Sequence, residues 1–172
     1  PIAHRPDIVK GDMEIIAQPT DYLGVNFYTR AIYRHDEKEY YFQVEPPEPR
    51  TDIGWEIYPQ AFTDLLVSLN EKYTLPPIYI TENGASIDDV IVAGKVEDER
   101  RFNYYQQHLN AVNDAIEKGV VVHGYFAWSL MDNFEWAEGY LKRFGIVYVD
   151  YDTQIRTIKQ SGYAYKALIS NR

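Results

Sequence analysis

The chain has no cysteine. That excludes a disulfide framework and a thiolate metal site, and it removes any need for an oxidising compartment, so the cytoplasm is the expected location. Basic clusters are missing as well. With 17 Lys and Arg against 26 Asp and Glu, the formal charge is −9. Nucleic acid and anionic membranes are therefore not expected partners, because both are bound mainly through Lys and Arg. No apolar run approaches the roughly 18 to 20 residues of a membrane-spanning helix. Histidines number only four and the carboxylates show no ligand spacing, so no metal and no other cofactor is expected. Repeats, linkers and low-complexity tracts are also lacking, and residues 1–172 read as one piece of one domain.

What is present is mostly ordinary. The 172 residues are 45% apolar and 25% charged, a balance that supports a buried core. Aromatic content is the exception: 15% of residues, with 16 Tyr. That exceeds what a core needs and is typical of surfaces that stack flat ligands, since Tyr offers both a ring face and a hydroxyl.

Three strand-then-helix units follow one another, the pattern of parallel α/β architecture. A short helical segment over residues 12–17 is stopped by Pro19. The first strand spans 21–29 and leads into a hairpin-like excursion over 31–42. A helix is predicted over 59–72, with Pro59 in its first turn and Phe62, Leu65, Leu66 and Leu69 on one face. The second strand is 78–81. After a turn at Asn83-Gly84, a helix over 98–118 carries Phe102, Tyr105, Leu109, Val112 and Ile116 at spacings of three and four. Its acidic start, Lys118 and Gly119 suit the helix dipole and a C-terminal cap. The third strand, 120–128, is almost continuously apolar, as for a strand buried on both faces. A loop rich in Trp, Glu, Asn and Gly follows, then a strand over 144–150 and a final helix from 161.

The stretch Ile78-Tyr79-Ile80-Thr81-Glu82-Asn83-Gly84 carries the most information. Strand alternation accounts for Ile78 and Ile80 but gives no reason for a carboxylate at the strand's end. Read alone, Glu82 is as easily a solvated strand-end residue as a nucleophile or base. Tyr28, Glu82 and Trp128 all fall near the C-terminal ends of predicted parallel strands, the end that carries the active site of a β/α barrel. Three strands cannot close a barrel of eight, which takes about 250 residues.

Several segments occur in the order of one family: Asp21-Tyr22-Leu23-Gly24-Val25-Asn26-Phe27-Tyr28-Thr29, Gly54-Trp55-Glu56-Ile57-Tyr58-Pro59, Ile80-Thr81-Glu82-Asn83-Gly84, the run from Trp128 through Trp136, and Arg143-Phe144-Gly145. Over nearly its whole length the chain resembles the C-terminal part of a family 1 glycoside hydrolase, the retaining β-glucosidases. The resemblance implies the last three strand-helix units of a TIM (β/α)8 barrel. It implies that Glu82 is the nucleophile, attacking the anomeric carbon to give a covalent glycosyl-enzyme, and that the Tyr28 hydroxyl orients it and favours its charged form. Trp128 corresponds to the indole platform beneath the sugar. Glu135 and Trp136 correspond to the pair that hydrogen-bonds the glycone hydroxyls, and Phe144 to a residue lining the same pocket. A core aromatic is the plain alternative for Tyr28, Trp128 and Phe144.

The retaining mechanism needs a second carboxyl about 5 to 5.5 Å from the first. In the family it sits in an Asn-Glu-Pro motif, which is absent: Asn70-Glu71 is followed by Lys72. The family's glycone-binding Gln and His are missing too. His4, His35, His108 and His123 match nothing catalytic, and surface or helix positions are expected for them. The chain alone is thus expected to be nearly inactive. The N-terminal half of the barrel, on the same or a companion chain, is its expected partner, covering sheet edges and apolar helix faces left open. Glu135 stands where relatives acting on 6-phosphorylated glycosides receive the phosphate, and it would repel one. The expected substrate is an unphosphorylated β-glucoside or related small carbohydrate, with glucose, galactose and fucose not separated by these residues. A non-catalytic carbohydrate-binding fragment is the alternative, and a thioglycosidase-like relative a third reading.

Overall fold

The computed structural model describes residues 7–38 and 40–170. In chain order these form α1 (Asp12–Ile16), β1 (Leu23–Asn26), β2 (Tyr33–Asp36), β3 (Tyr40–Gln43), α2 (Gln60–Lys72), β4 (Ile78–Asn83), β5 (Ile91–Val92), β6 (Lys95–Val96), α3 (Glu99–Glu117), β7 (Val122–Ala127), a 3-10 turn at Trp136–Glu138, β8 (Val147–Val149), β9 (Arg156–Ile158) and α4 (Gln160–Ser170). His4 lies outside the described residues.

The central feature is a parallel sheet in the order β1-β4-β7. Leu23 pairs with Ile78 and Val25 with Ile80, while Ile78 pairs with Val122 and Ile80 with Tyr125. The pairing slips between Val25 and Asn26, and again between Ile80 and Asn83. Such irregularities re-aim side chains at strand ends. With α2 crossing from β1 to β4 and α3 from β4 to β7, the three C-terminal strand ends meet at one rim. This is the partial TIM barrel expected: three parallel strands with their helices. The remaining strands form three antiparallel hairpins, β2-β3, β5-β6 and β8-β9; the last two were not anticipated.

The core lies between sheet and helices. Val25, Phe27, Phe62, Leu66, Ile78 and Ile80 pack with Ala111, Val112 and Ala115 of α3. The Phe27 and Phe62 rings stack at 4.4 Å, and Thr63 Oγ1 donates to the Ala111 carbonyl at 2.8 Å, tying α2 to α3.

Four sequence expectations need correction. The inward face of α2 is Phe62, Thr63 and Leu66, whereas Leu65 is exposed. The buried stripe of α3 is Arg101, Tyr104, Tyr105, His108, Ala111, Val112 and Ala115. Small alanines let that helix approach the sheet closely, so the larger Leu109 and Ile116 turn to a neighbouring groove shared with Val122 and Leu168. Asn83-Gly84 is no turn: Asn83 ends β4 and is fully buried. Finally, β7 is not buried on both faces. His123 and Phe126 are exposed, and among the described residues no strand pairs with the outer edge of β7.

Candidate active site

Glu82 sits in β4, one residue before its end, half-buried at the C-terminal rim. Tyr28 follows β1 by two residues, and its hydroxyl donates to Glu82 Oε2 at 2.6 Å. Burial, and after it this bond to Glu82, pushes the Tyr28 hydroxyl well above the ordinary range of a phenol, so it stays a donor. The register slip after Val25 allows this meeting: beyond it the Phe27 amide bonds the Glu82 carbonyl at 2.9 Å, carrying Tyr28 alongside the carboxylate.

Asn83 fastens the rim together. Its Nδ2 donates to the Phe27 carbonyl at 2.7 Å and to the Tyr104 hydroxyl at 3.0 Å, and its Oδ1 accepts from the Tyr125 hydroxyl. Tyr104 in turn donates to the Tyr28 carbonyl at 3.0 Å. One buried amide thus ties β4 to the end of β1, to β7 and to α3. Sequence reading passed over it, taking Asn-Gly for a turn; the only available signal was an Asn following a β-branched run.

Trp128 follows β7 directly. Its amide donates to the Asn83 carbonyl at 2.8 Å and its carbonyl accepts from the Tyr105 hydroxyl at 3.0 Å. The Trp128-Ser129 peptide is cis. Glu135 lies in the following loop, its amide bonded to the Gly139 carbonyl at 2.7 Å. Partial burial, then the negative charges of Glu82 and Glu138, raise its carboxyl above the usual range. Glu135 and Glu82 are therefore within electrostatic reach of each other. Trp136 is 85% exposed.

Phe144 is 2% exposed, and its ring stands edge-on to Tyr28 at 6.0 Å, so it packs beside the residue that bonds Glu82. Trp55 was given no role from sequence, although its segment was among those quoted. Its ring lies 5.4 Å from that of Tyr28 and 5.9 Å from that of Phe144. The segment around it is anchored by Arg30, whose guanidinium grips the buried Glu56 at 2.8 and 3.0 Å and covers the Tyr58 ring at 3.6 Å. Among the described residues no group of three or more His, Asp or Glu is arranged to hold a metal ion, and no helix is long and apolar enough to cross a membrane.

Residues 2–172 match the family model described as Glycosyl hydrolase family 1. The chain is 48% identical over 171 residues to the 1,4-beta-D-glucan glucohydrolase of Thermotoga neapolitana, covering 98% of this chain and 38% of that protein. It is 45% identical over 134 residues to 6-phospho-beta-galactosidase 1 of Streptococcus pneumoniae, covering 76% of this chain and 28% of that protein. Among solved structures, the beta-glucosidase from Thermotoga maritima in complex with glucoimidazole superposes with a TM-score of 0.91 at 47% identity, covering 94% of this chain and 37% of that one. The chain thus spans about 38% of the length of curated relatives such as these.

Proposed function

This chain belongs to glycosyl hydrolase family 1, and from that premise we propose that residues 1–172 form the last three strand-helix units of a retaining β-glucosidase domain, with Glu82 as nucleophile. The observation that carries this reading is the 2.6 Å bond from the Tyr28 hydroxyl to Glu82 Oε2. It fixes one carboxylate oxygen and leaves Oε1 to attack. In the first step Glu82 bonds to the anomeric carbon of a terminal β-D-glucosyl residue. The bond to the aglycone oxygen breaks, and that oxygen takes a proton from a second carboxyl in the N-terminal half of the barrel. In the second step water attacks the same carbon, gives its proton to that second carboxyl, and releases glucose and the free Glu82 carboxylate. Trp128, Glu135, Trp136 and Phe144 recognise the glycone, and Phe144 also packs edge-on against Tyr28.

Glucosides lead as substrates because curated relatives at 46 to 48% identity are named for glucosidase or glucan glucohydrolase activity. The half-buried Glu135 disfavours a 6-phosphate despite the likeness to a phospho-galactosidase, since two anions in a partly desolvated pocket repel strongly. The test uses the assembled barrel, this chain together with the segment carrying the first five strands. After incubation with a 2-deoxy-2-fluoro-β-glucoside, mass spectrometry is expected to find the sugar mass on a peptide containing Glu82, and none in Glu82→Gln. Sugar binding with neither labelling nor turnover would overturn the enzymatic reading in favour of a carbohydrate-binding protein.

A further inference from the structure

Beneath the rim lies a cluster of charges that the chemistry just described does not use. Arg101, Asp89, Asp98, Lys159 and Asp132 have side chains with no solvent exposure, and Arg143 is 17% exposed. The Arg101 guanidinium contacts both Asp89 oxygens at 2.8 and 2.9 Å and also bonds Asp98. Lys159 joins Asp89 to Asp132, reaching the latter at 2.8 Å. Three cations face three carboxylates, so the group is formally neutral. Burying it gains little stability over apolar residues of the same volume, because desolvation offsets most of the attraction. Geometric specificity is the better account of its presence.

The geometry centres on Asp132. Its Oδ1 accepts from the Gly145 amide at 3.0 Å and from Lys159; its Oδ2 accepts from Arg143 Nη1 at 2.6 Å and the Val149 amide at 3.3 Å. Asp132 and Arg143 are the two stems of the loop that carries Glu135 and Trp136, so this carboxylate clasps the loop at its base. Backbone packs tightly there, since a Cβ at Gly145 would overlap the Asp132 amide. Further out the loop turns toward solvent, with Phe134, Trp136, Tyr140 and Leu141 all exposed. Through Lys159 and Asp89 the clasp is fastened to the segment that follows Glu82, and through Arg101 to the start of α3.

We propose that Asp132, fixed by Lys159 and Arg143, is a positioning residue that sets Glu135 and Trp136 against Glu82 and so governs recognition of glycone hydroxyls. This rests on the glycosidase reading above. The test measures kcat/KM of the assembled barrel for an aryl β-glucoside and its monodeoxy analogues, in wild type, Asp132→Asn and Lys159→Met. Asp132→Asn keeps the volume but turns a donor toward donors on one side of the clasp. Discrimination between glucoside and deoxyglucoside is expected to fall at least ten-fold in both variants, with KM for the glucoside rising more than kcat falls. A merely structural role lowers the active fraction equally for every substrate and leaves those ratios unchanged, and that result overturns the proposal. Arg143→Gln, altered at the most exposed member, is read the same way should the first two not fold. Loss of folding in all three assigns the cluster to stability alone and also overturns it. Wild-type protein without glucoside turnover would instead refute the glycosidase reading.

Discussion

Replacing Tyr28 by Phe removes one hydroxyl and little else. The ring keeps its edge contacts with Trp55 and Phe144, so packing is preserved and the change isolates the 2.6 Å bond to Glu82. A hydrogen bond to an ionised group contributes about 1.5 to 3 kcal/mol, which corresponds to roughly 10- to 150-fold in a rate constant. The two chemical steps feel this loss differently. In the proposed mechanism Glu82 loses charge as it attacks, so the bond weakens toward the first transition state, and its removal there affects mainly orientation. Charge returns to Glu82 as the glycosyl-enzyme breaks down, so the bond strengthens toward the second transition state, and its full worth is lost there. Tyr28→Phe in the assembled barrel is therefore expected to lower kcat by about 10- to 150-fold. KM should fall with it, and a burst of aglycone equal to the enzyme concentration should appear on rapid mixing. Rapid-quench kinetics with an aryl β-glucoside bearing a good leaving group, followed by mass spectrometry of the glycosyl-enzyme, measures each quantity. An unchanged kcat, or a reduced kcat with no accumulated intermediate and a raised KM, would refute the assignment of Tyr28 to the nucleophile's charge.

Two further predictions concern stability. His108 is fully buried, stacked on Tyr104 at 3.8 Å, with Nδ1 on the Tyr104 carbonyl, and burial lowers its pKa from 6.5 to about 4. The folded state therefore holds His108 neutral where the unfolded chain protonates it. Its contribution is complete above pH 7 and is lost as pH falls through 6.5 toward 4, by about 2 kcal/mol at pH 5. Urea midpoints at pH 7.5 and 5 should differ accordingly, and the difference should shrink in His108→Gln; an equal pH dependence in the two proteins would contradict this. Gly84→Ala would drive a Cβ into the Trp128 carbonyl, which is backbone and cannot swing aside. A loss of roughly 1 to 3 kcal/mol is expected, seen as a lower Tm together with weaker sugar affinity, because Trp128 itself must shift; wild-type Tm and affinity would show that the approach can relax.

Much of the fold was legible because it is written in local pattern. Alternating apolar residues, Pro and Gly at helix ends, and β-branched runs located the three strand-helix units, and Glu82 was conspicuous as a carboxylate that no strand pattern explains. Helix faces were read less well. In α3 the spacing of large apolar residues pointed to Ile116, which is exposed, while Arg101 and His108 face inward with full burial. Periodicity weighs hydrophobicity, and cannot foresee that a guanidinium will find two carboxylates or that an imidazole will stack on a tyrosine.

The sequence by itself determined the order of parallel strands and helices and the placing of Glu82 at the C-terminal end of a strand, because those follow from short-range propensity and the handedness of βαβ units. Only the tertiary structure decided that Tyr28 reaches Glu82, that Asn83 ties β4 to β1, β7 and α3, that Phe144 packs on Tyr28, and that Asp132 meets Lys159. Each depends on strand register or on pairing between residues far apart in the chain, and such contacts exist only once the core has fixed the elements against one another.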